Sequence, residues 1–422
     1  MANMSTTRVH PLFCWCSPAW RHLAAALVLS LSAGAVPAQV AGPQWQGAAF
    51  EGDRAALTRL AEAGAKVIRV YRESDAWVLD EAQAWGLKVV MGLWVGHPRH
   101  GFRLDDGAAL RAQEEDIRRF VMRYRGHPAI IAWGVGNEVE TGETDPMPAW
   151  REVDRLAGVV KKLDPARPTM MVVADTSLDR LKLLADCCAN VDLLGINLYA
   201  GAVFDLPQRL RSAGITKPVV VAELGALGQW QAGRKPWGAP VELTSRQKAD
   251  FYRKALAALH AEPQVRGVFP FLWGAKQEQT ATWHGLLLAD GSLTEMTDAL
   301  AEAWGRPPLH RAPTILGVGI SADVFAPGAR VSAGVDARGA DDVRLSTEWV
   351  VRAEATDLRL GLGGDKEAAT ARIDVPLLGS DNGQVSFLAP KQPGAYRLFI
   401  TVRGAGGKAA TANLPFLVRA AP

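Results

Sequence analysis

The sequence predicts an α/β fold, a (β/α)8 TIM barrel followed by a small antiparallel β-sandwich. Three observations predict it. Between about residues 44 and 304 short β-branched runs alternate with amphipathic segments, as a parallel sheet with helices outside requires. Two of those runs, A-I-I-A-W-G-V-G-N-E over 129–138 and K-P-V-V-V-A-E-L-G over 217–225, end in a carboxylate. Beyond a Gly-Arg-Pro-Pro boundary at 305–308 the helical period gives way to closely spaced alternating runs with Gly and Asp turns.

A strand is predicted over 45–50, a helix over 55–63, a strand over 67–70, a helix over 78–85 and a strand over 88–94. A helix over 108–124, charged on one face, leads to the apolar run 130–135, which is too short for a buried helix and reads as an interior parallel strand ending at Glu138. The helix over 150–163 stops at Asp164-Pro165, where proline cannot continue it. Strands over 169–173, 191–197, 217–225 and 267–273 alternate with helices over 178–185, 206–213, 244–260 and 296–304, the third of these capped by Thr244-Ser245. That makes eight βα units in about 260 residues, the usual barrel size. A linker over 305–313 then precedes a sandwich over 314–422, with strands at 330–335, 344–351, 384–388, 396–403 and 411–418. Trp349 and Tyr396 are its candidate core or corner aromatics.

Composition bounds the function. A chain of 422 residues has ample core for a large domain plus a smaller one. A formal net charge of +3 supplies no basic field, so nucleic acid is not an expected partner. Fourteen tryptophans provide rigid flat rings that suit sugar faces as well as cores. A polar opening to Arg21-His22, an apolar run over 23–36 and the small residues Val36-Pro37-Ala38 read as a signal peptide over 1–38, cleaved near Ala38. The apolar run is short for a bilayer. A periplasmic or secreted protein is therefore expected, with no membrane association after cleavage. Cys14 and Cys16 leave with the signal, and Cys187 and Cys188 are adjacent, a spacing that closes a disulfide only with strain. Without a disulfide framework the exported chain must rest on its core. No Cys and His cluster has ligand spacing, so neither a metal nor a cofactor is expected.

In such a barrel, chemistry sits at the carboxyl ends of the strands. Strand four delivers Asn137 and Glu138 there and strand seven delivers Glu223, so two carboxylates face each other across one mouth; a surface Asn-Glu turn is the alternative for the first pair. Retaining glycoside hydrolysis needs one carboxylic acid to protonate the leaving oxygen and one carboxylate, about 5 to 5.5 Å away, to attack the anomeric carbon. On these residues the barrel, over roughly 44–304, resembles the clan A retaining glycoside hydrolases. The stretch R-G-H-P-A-I-I-A-W-G-V-G-N-E over 125–138 is similar to the corresponding segment of the family 2 barrel, and V-G-N-E-V is similar to family 17. A barrel followed by one immunoglobulin-like domain also resembles the family 158 endo-β-1,3-glucanases. The resemblance implies that Glu138 is the acid/base and Glu223 the nucleophile. It further implies that Arg69 holds the nucleophile ionised, that Asn137 binds the sugar 2-hydroxyl, and that Asn197 or Tyr199 touches the nucleophile. By the same resemblance Trp273 floors the subsite before the cleaved bond, with core filling as the alternative. Trp133, within the matching segment, is counted with the substrate-binding residues.

Loops at the same face complete the candidate site. His97 and His100 follow strand three, placed to bind a sugar hydroxyl, to tune Glu138, or simply to face water. Trp230 and Trp237 fall on the strand-seven loop, and Lys276, Gln277 and Trp283 on the strand-eight loop; long loops here usually bind substrate, so several sugar subsites are expected. The expected function is a secreted retaining β-glycosidase that hydrolyses β-glucan-type oligo- or polysaccharides by double displacement. A transglycosylase and an inactive carbohydrate-binding barrel are the alternatives; the presence of both glutamates argues against the second.

Overall fold

A computed structural model describes residues 45–340, 344–355, 367–381 and 383–420. The expected signal peptide over 1–38, with Cys14 and Cys16, lies outside them. Eight parallel strands close a barrel in chain order: β1 (Trp45–Ala49), β2 (Val67–Arg69), β3 (Lys88–Leu93), β4 (Ile130–Asn137), β5 (Thr169–Val173), β6 (Leu193–Tyr199), β7 (Val219–Gly225) and β8 (Val265–Pro270), the last pairing back to β1. The helices α1 (Arg54–Glu62), α2 (Val78–Ala84), α3 (Gly107–Tyr124), α4 (Met147–Leu163), α5 (Leu178–Ala185), α6 (Ala202–Ala213), α7 (Ser245–His260) and α8 (Glu295–Ala303) follow successive strands.

Local chemistry explains where the helices start. Asp53, Asp106 and Ser177 accept backbone N–H bonds at the first turns of α1, α3 and α5, and Thr244 with Gln247 closes a reciprocal capping box on α7. The largest boundary difference is α6, which begins at Ala202 rather than 206 and carries Pro207 within it. Val203, Leu206 and Leu210 form its buried stripe, and burial of that stripe outweighs the hydrogen bond that Pro207 cannot make.

Side chains alternate across each strand. Ala49, Val90, Ala132, Met170, Val220 and Ala222 point inward and fill the barrel with interlocking small and large residues. Their neighbours point out toward the helices. This corrects the expectation for Trp133: next to inward Ala132, it faces outward, fully buried, against Phe120 of α3, and its indole N–H donates to Asp164 at 2.9 Å. It is a core residue. Cys187 and Cys188 are bonded to each other. A bond between neighbours ties no two elements together, so the barrel is held by its packed layers.

Beyond α8 two sheets face each other. One has the order β10 (Thr314–Ile320), β12 (Arg330–Arg338), β16 (Gln384–Leu388), β15 (Leu377–Asp381). The other runs β11 (Val324–Phe325), β18 (Lys408–Val418), β17 (Gly394–Arg403), β13 (Ser346–Ala353), β14 (Arg372–Ile373), and is joined at β18 by β9 (Leu293–Thr294), from the segment between β8 and α8. Val331, Phe387, Leu398, Ile400 and Phe416 form the core between them. Trp349 packs on that core, and the Tyr396 hydroxyl donates to the Gln392 carbonyl at 2.8 Å, pinning the turn before β17. Because β9 pairs in parallel with β18, the sandwich is stitched to the barrel by backbone as well as side chains. Among the described residues no helix is long and apolar enough to cross a membrane.

Candidate active site

The carboxyl end of β4 is bent by a bulge. Its register against β5 shifts between Val135 and Asn137, Gly136 takes φ +70°, and Glu138 takes φ +51°. A Cβ at Gly136 would lie 2.8 Å from a Val139 methyl, so only glycine fits that position. Bulges re-aim side chains, and this one turns two consecutive residues, Asn137 and Glu138, into the same cavity. The Glu138 backbone N–H donates to the Val172 carbonyl at 2.8 Å, fixing the turn.

Glu223 follows inward Ala222 on β7, where the register slips against both β6 and β8 and turns this next residue into the cavity as well, buried among donors. Arg69 Nη1 lies 3.2 Å from its Oε1, the Tyr71 hydroxyl donates to Oε1 at 2.9 Å, and the Tyr199 hydroxyl donates to Oε2 at 2.8 Å. Arg69 also donates to the Ala222 carbonyl at 2.8 Å and to Asn137 Oδ1 at 2.7 Å. Asn197 Nδ2 reaches Glu138 Oε1 at 2.7 Å. A single hydrogen-bonded set thus runs from Glu223 through Arg69, Asn137 and Asn197 to Glu138. Of the two strand-six residues expected at the nucleophile, Tyr199 is there and Asn197 instead holds the other glutamate.

Electrostatics separates the two glutamates. Burial, and then the negative charge of Glu223, push the Glu138 carboxyl up to about 8, which the Asn197 amide only partly offsets. Glu138 therefore carries a proton at neutral pH. Tyr71 and Tyr199 are raised well above the ordinary phenol value by burial and by Glu223, so both stay protonated and act as donors.

A cavity of about 940 Å³ opens over these groups. His97 and His100 line it, His97 stacked with both His100 and Trp94, and Arg99 between them in sequence is close enough for its charge to lower Glu138 slightly. Trp230 and Lys276 line the cavity on the β7 and β8 side, with Gln277 and Glu278 beside them. The Trp230 ring is half exposed, edge-on to Tyr199 and stacked over His284. Burial would raise Glu278, but His284, Lys276 and the Gln229 amide outweigh it and hold its carboxyl low. Burial drives His284 down to about 4, leaving it neutral near neutral pH.

Three expected substrate tryptophans lie elsewhere. Trp273 is fully buried, its N–H donating to the Ala56 carbonyl at 2.9 Å and its ring beside Trp304; the aromatic from the β8 end that lines the cavity is Phe271. Trp283 is buried and donates to the Leu227 carbonyl at 2.7 Å, packing one loop on another. Trp237 does not line the cavity. Its hairpin is drawn to the sandwich, where Lys235 pairs with Asp323 at 2.7 Å. Sequence reasoning missed Tyr71, Trp94, Arg99, Phe271 and Glu278. For Tyr71 the pointer was available, because it stands two residues after Arg69 and so continues the same inward face. Among the described residues no cluster of His, Cys, Asp or Glu is arranged to hold a metal ion.

Residues 65–233 match the glycosyl hydrolases family 2 TIM barrel domain. That span contains both Glu138 and Glu223. A β-galactosidase of Lactococcus lactis is 29% identical over 144 residues, which is 31% of this chain and 13% of that enzyme. Among solved structures, a β-glucuronidase of Bifidobacterium dentium in complex with coumarin-3-O-glucuronide aligns with TM-score 0.51 and 18% identity over 63% of this chain and 47% of its own. A β-D-glucuronidase of Dictyoglomus thermophilum aligns with TM-score 0.50 and 19% identity over 63% of this chain and 51% of its own. These two likenesses speak to the fold. The chain spans at most about half the length of these enzymes.

Proposed function

We propose that this chain is an exported retaining β-glycosidase acting by double displacement, with Glu138 as acid/base and Glu223 as nucleophile. The observation that carries it is the asymmetry of the two glutamates. Glu138 keeps its proton at neutral pH, while Glu223 is ringed by a guanidinium and two phenol donors. In the first step Glu138 gives its proton to the leaving oxygen as a Glu223 oxygen bonds to the anomeric carbon. In the second, Glu138 takes a proton from water, the water oxygen attacks that carbon, and Glu223 is released. Retention requires the carboxyl groups to stand about 5 to 5.5 Å apart.

The substrate proposed is a β-glucan-type oligo- or polysaccharide. A cavity of about 940 Å³ lies at the upper end of the range of roughly 300–1,000 Å³ for ligand pockets, and Trp230 offers a half-exposed ring beside it. The names of the related enzymes supply the competing substrates, β-galactosides and β-glucuronides. The sandwich is of immunoglobulin-like type on this reading, supported by the Tyr396 hydroxyl bonding back to Gln392 as tyrosine corners do. The test is hydrolysis of β-1,3-, β-1,4- and β-1,6-glucans beside aryl β-galactosides and β-glucuronides, with the first-formed anomer read by proton NMR. Retained configuration from a glucan is expected. Turnover confined to galactosides or glucuronides would keep the mechanism and replace the substrate, and an inverted product would overturn the mechanism.

A further inference from the structure

We propose that the C-terminal sandwich shapes the substrate site from behind its wall, with Glu354 and Arg397 as positioning residues that hold the cavity-lining segment 276–278 through Gln279. The inference rests on the glycosidase reading for its kinetic consequence, and on geometry alone for the contact.

The segment after β8 makes a tight turn: Glu278 and Thr280 pair with each other across Gln279, which stands at the apex with φ +59°. Left-handed backbone at a glutamine persists only where surroundings hold it. They do so from the sandwich side. The apex N–H donates to the Glu367 carboxylate at 2.7 Å, and the side-chain amide donates to Glu354 Oε1 at 3.2 Å. Glu354, just after β13, is itself gripped by the guanidinium of Arg397 on β17, with Nη2 to Oε1 at 2.8 Å and Nε to Oε2 at 3.0 Å. The same guanidinium reaches the Pro240 carbonyl at 2.8 Å, on the segment between β7 and α7.

This ion pair is almost wholly buried, with Arg397 at 1% and Glu354 at 7% exposure. A buried pair is weak evidence for stability; here it fixes orientation, because the same guanidinium also donates to Asn413 Oδ1 on β18. A second strut lies beside it. Asn413 of β18 donates to Glu242, which also accepts from Lys248, Thr280 and Thr282. Both ends of the 279–282 stretch are therefore fixed by sandwich residues, and the residue next to the apex, Glu278, projects into the cavity beside Lys276. A detachable binding module would show none of this continuity from sandwich core to cavity wall.

The experiment uses the full chain in three variants. Gln279→Gly keeps the turn, since glycine accepts its φ, and deletes the side-chain contact. Glu354→Gln keeps volume and removes the charge that Arg397 grips. Lys408→Met cuts another barrel–sandwich contact, Lys408 to Asp298, away from the cavity. On β-1,3-glucan oligosaccharides the first two should raise KM about five- to tenfold with kcat within about twofold, the pattern of lost uniform binding, and should speed amide exchange over 274–284. Lys408→Met should lower Tm with KM unchanged. Unchanged KM and exchange in the first two variants, or an equal KM rise in Lys408→Met, would overturn the proposal. If the unmutated protein turns over no glycoside, the functional reading falls and the exchange data alone decide the positioning.

Discussion

Asn197 and Tyr199 stand two residues apart on one strand, and each holds a different glutamate: Asn197 donates to Glu138 at 2.7 Å, Tyr199 to Glu223 at 2.8 Å. Strand periodicity makes this possible, because residues i and i+2 share a face and both point into the barrel mouth. One short element thus sets the orientation of both candidate reacting groups. A shift of β6 would disturb Glu138 and Glu223 together.

The acid/base role gives the first prediction. Glu138→Gln should lower kcat about 10²- to 10⁴-fold on substrates with poor leaving groups, the usual worth of general acid catalysis, while sparing the glycosylation step for activated aryl leaving groups. Comparing single-turnover rates for the two classes checks it. Equal loss on both would remove Glu138 from the role.

The pH profile gives the second. A group that must be protonated and sits at about 8 predicts kcat/KM that falls about tenfold per unit above that pH. Asn197 donates to the carboxylate and so favours the charged form; Asn197→Ala should move the alkaline limb upward. The same raised value bears on stability. Because the folded state holds this proton more tightly than the unfolded chain, the associated stability is present at low pH and lost as pH rises from about 4.3 toward 8. Glu138→Gln should therefore gain Tm relative to the parent across that window, and a parallel pair of Tm curves would contradict the shift.

The donors around Glu223 give the third. Tyr71→Phe and Tyr199→Phe each remove one hydrogen bond to the carboxylate, a charge-assisted contact worth about 1.5–3 kcal/mol. Each should cut kcat/KM about ten- to hundredfold while leaving a folded protein, since the ring stays. A double variant no worse than either single one would mean that the two phenols act as a unit.

Much of this was legible in the chain because the periodic parts carry their own physics. The β-branched runs ending at Asn137-Glu138 and Glu223 announce interior strands, and barrel geometry then sends their last residues to one mouth. What sequence could not supply was the facing of individual rings. Trp133 lies four residues before Asn137 in sequence yet on the outward face of its strand, a parity that the bulge at Gly136 then resets for Asn137 and Glu138. Trp237, Trp273 and Trp283 sit in irregular segments, where no period predicts direction, and their places are decided by carbonyl partners or by the sandwich. Glu278 was hidden for the same reason: its placement depends on Gln279 meeting Glu354 and Glu367, residues 75 and 88 positions away.

The last prediction concerns substrate length, and those corrected positions sharpen it. Of the four tryptophans expected to line subsites, Trp230 alone lines the cavity, its ring half exposed over His284. Binding energy from a remote sugar stacked there can be spent at the reacting bond, so kcat/KM should rise with oligosaccharide length in the parent protein. Trp230→Ala should flatten that rise and lower Tm much less than a core tryptophan would, because about half of this residue is exposed. Trp273→Ala should do the opposite, lowering stability by about 3–5 kcal/mol, as core aromatics do, and sparing the length profile of whatever remains folded. Measuring kcat/KM against chain length beside the thermal midpoint of each variant separates the two. A flat profile in the parent would retire the polysaccharide proposal in favour of a small exo-acting glycosidase, with Glu138 and Glu223 keeping their roles.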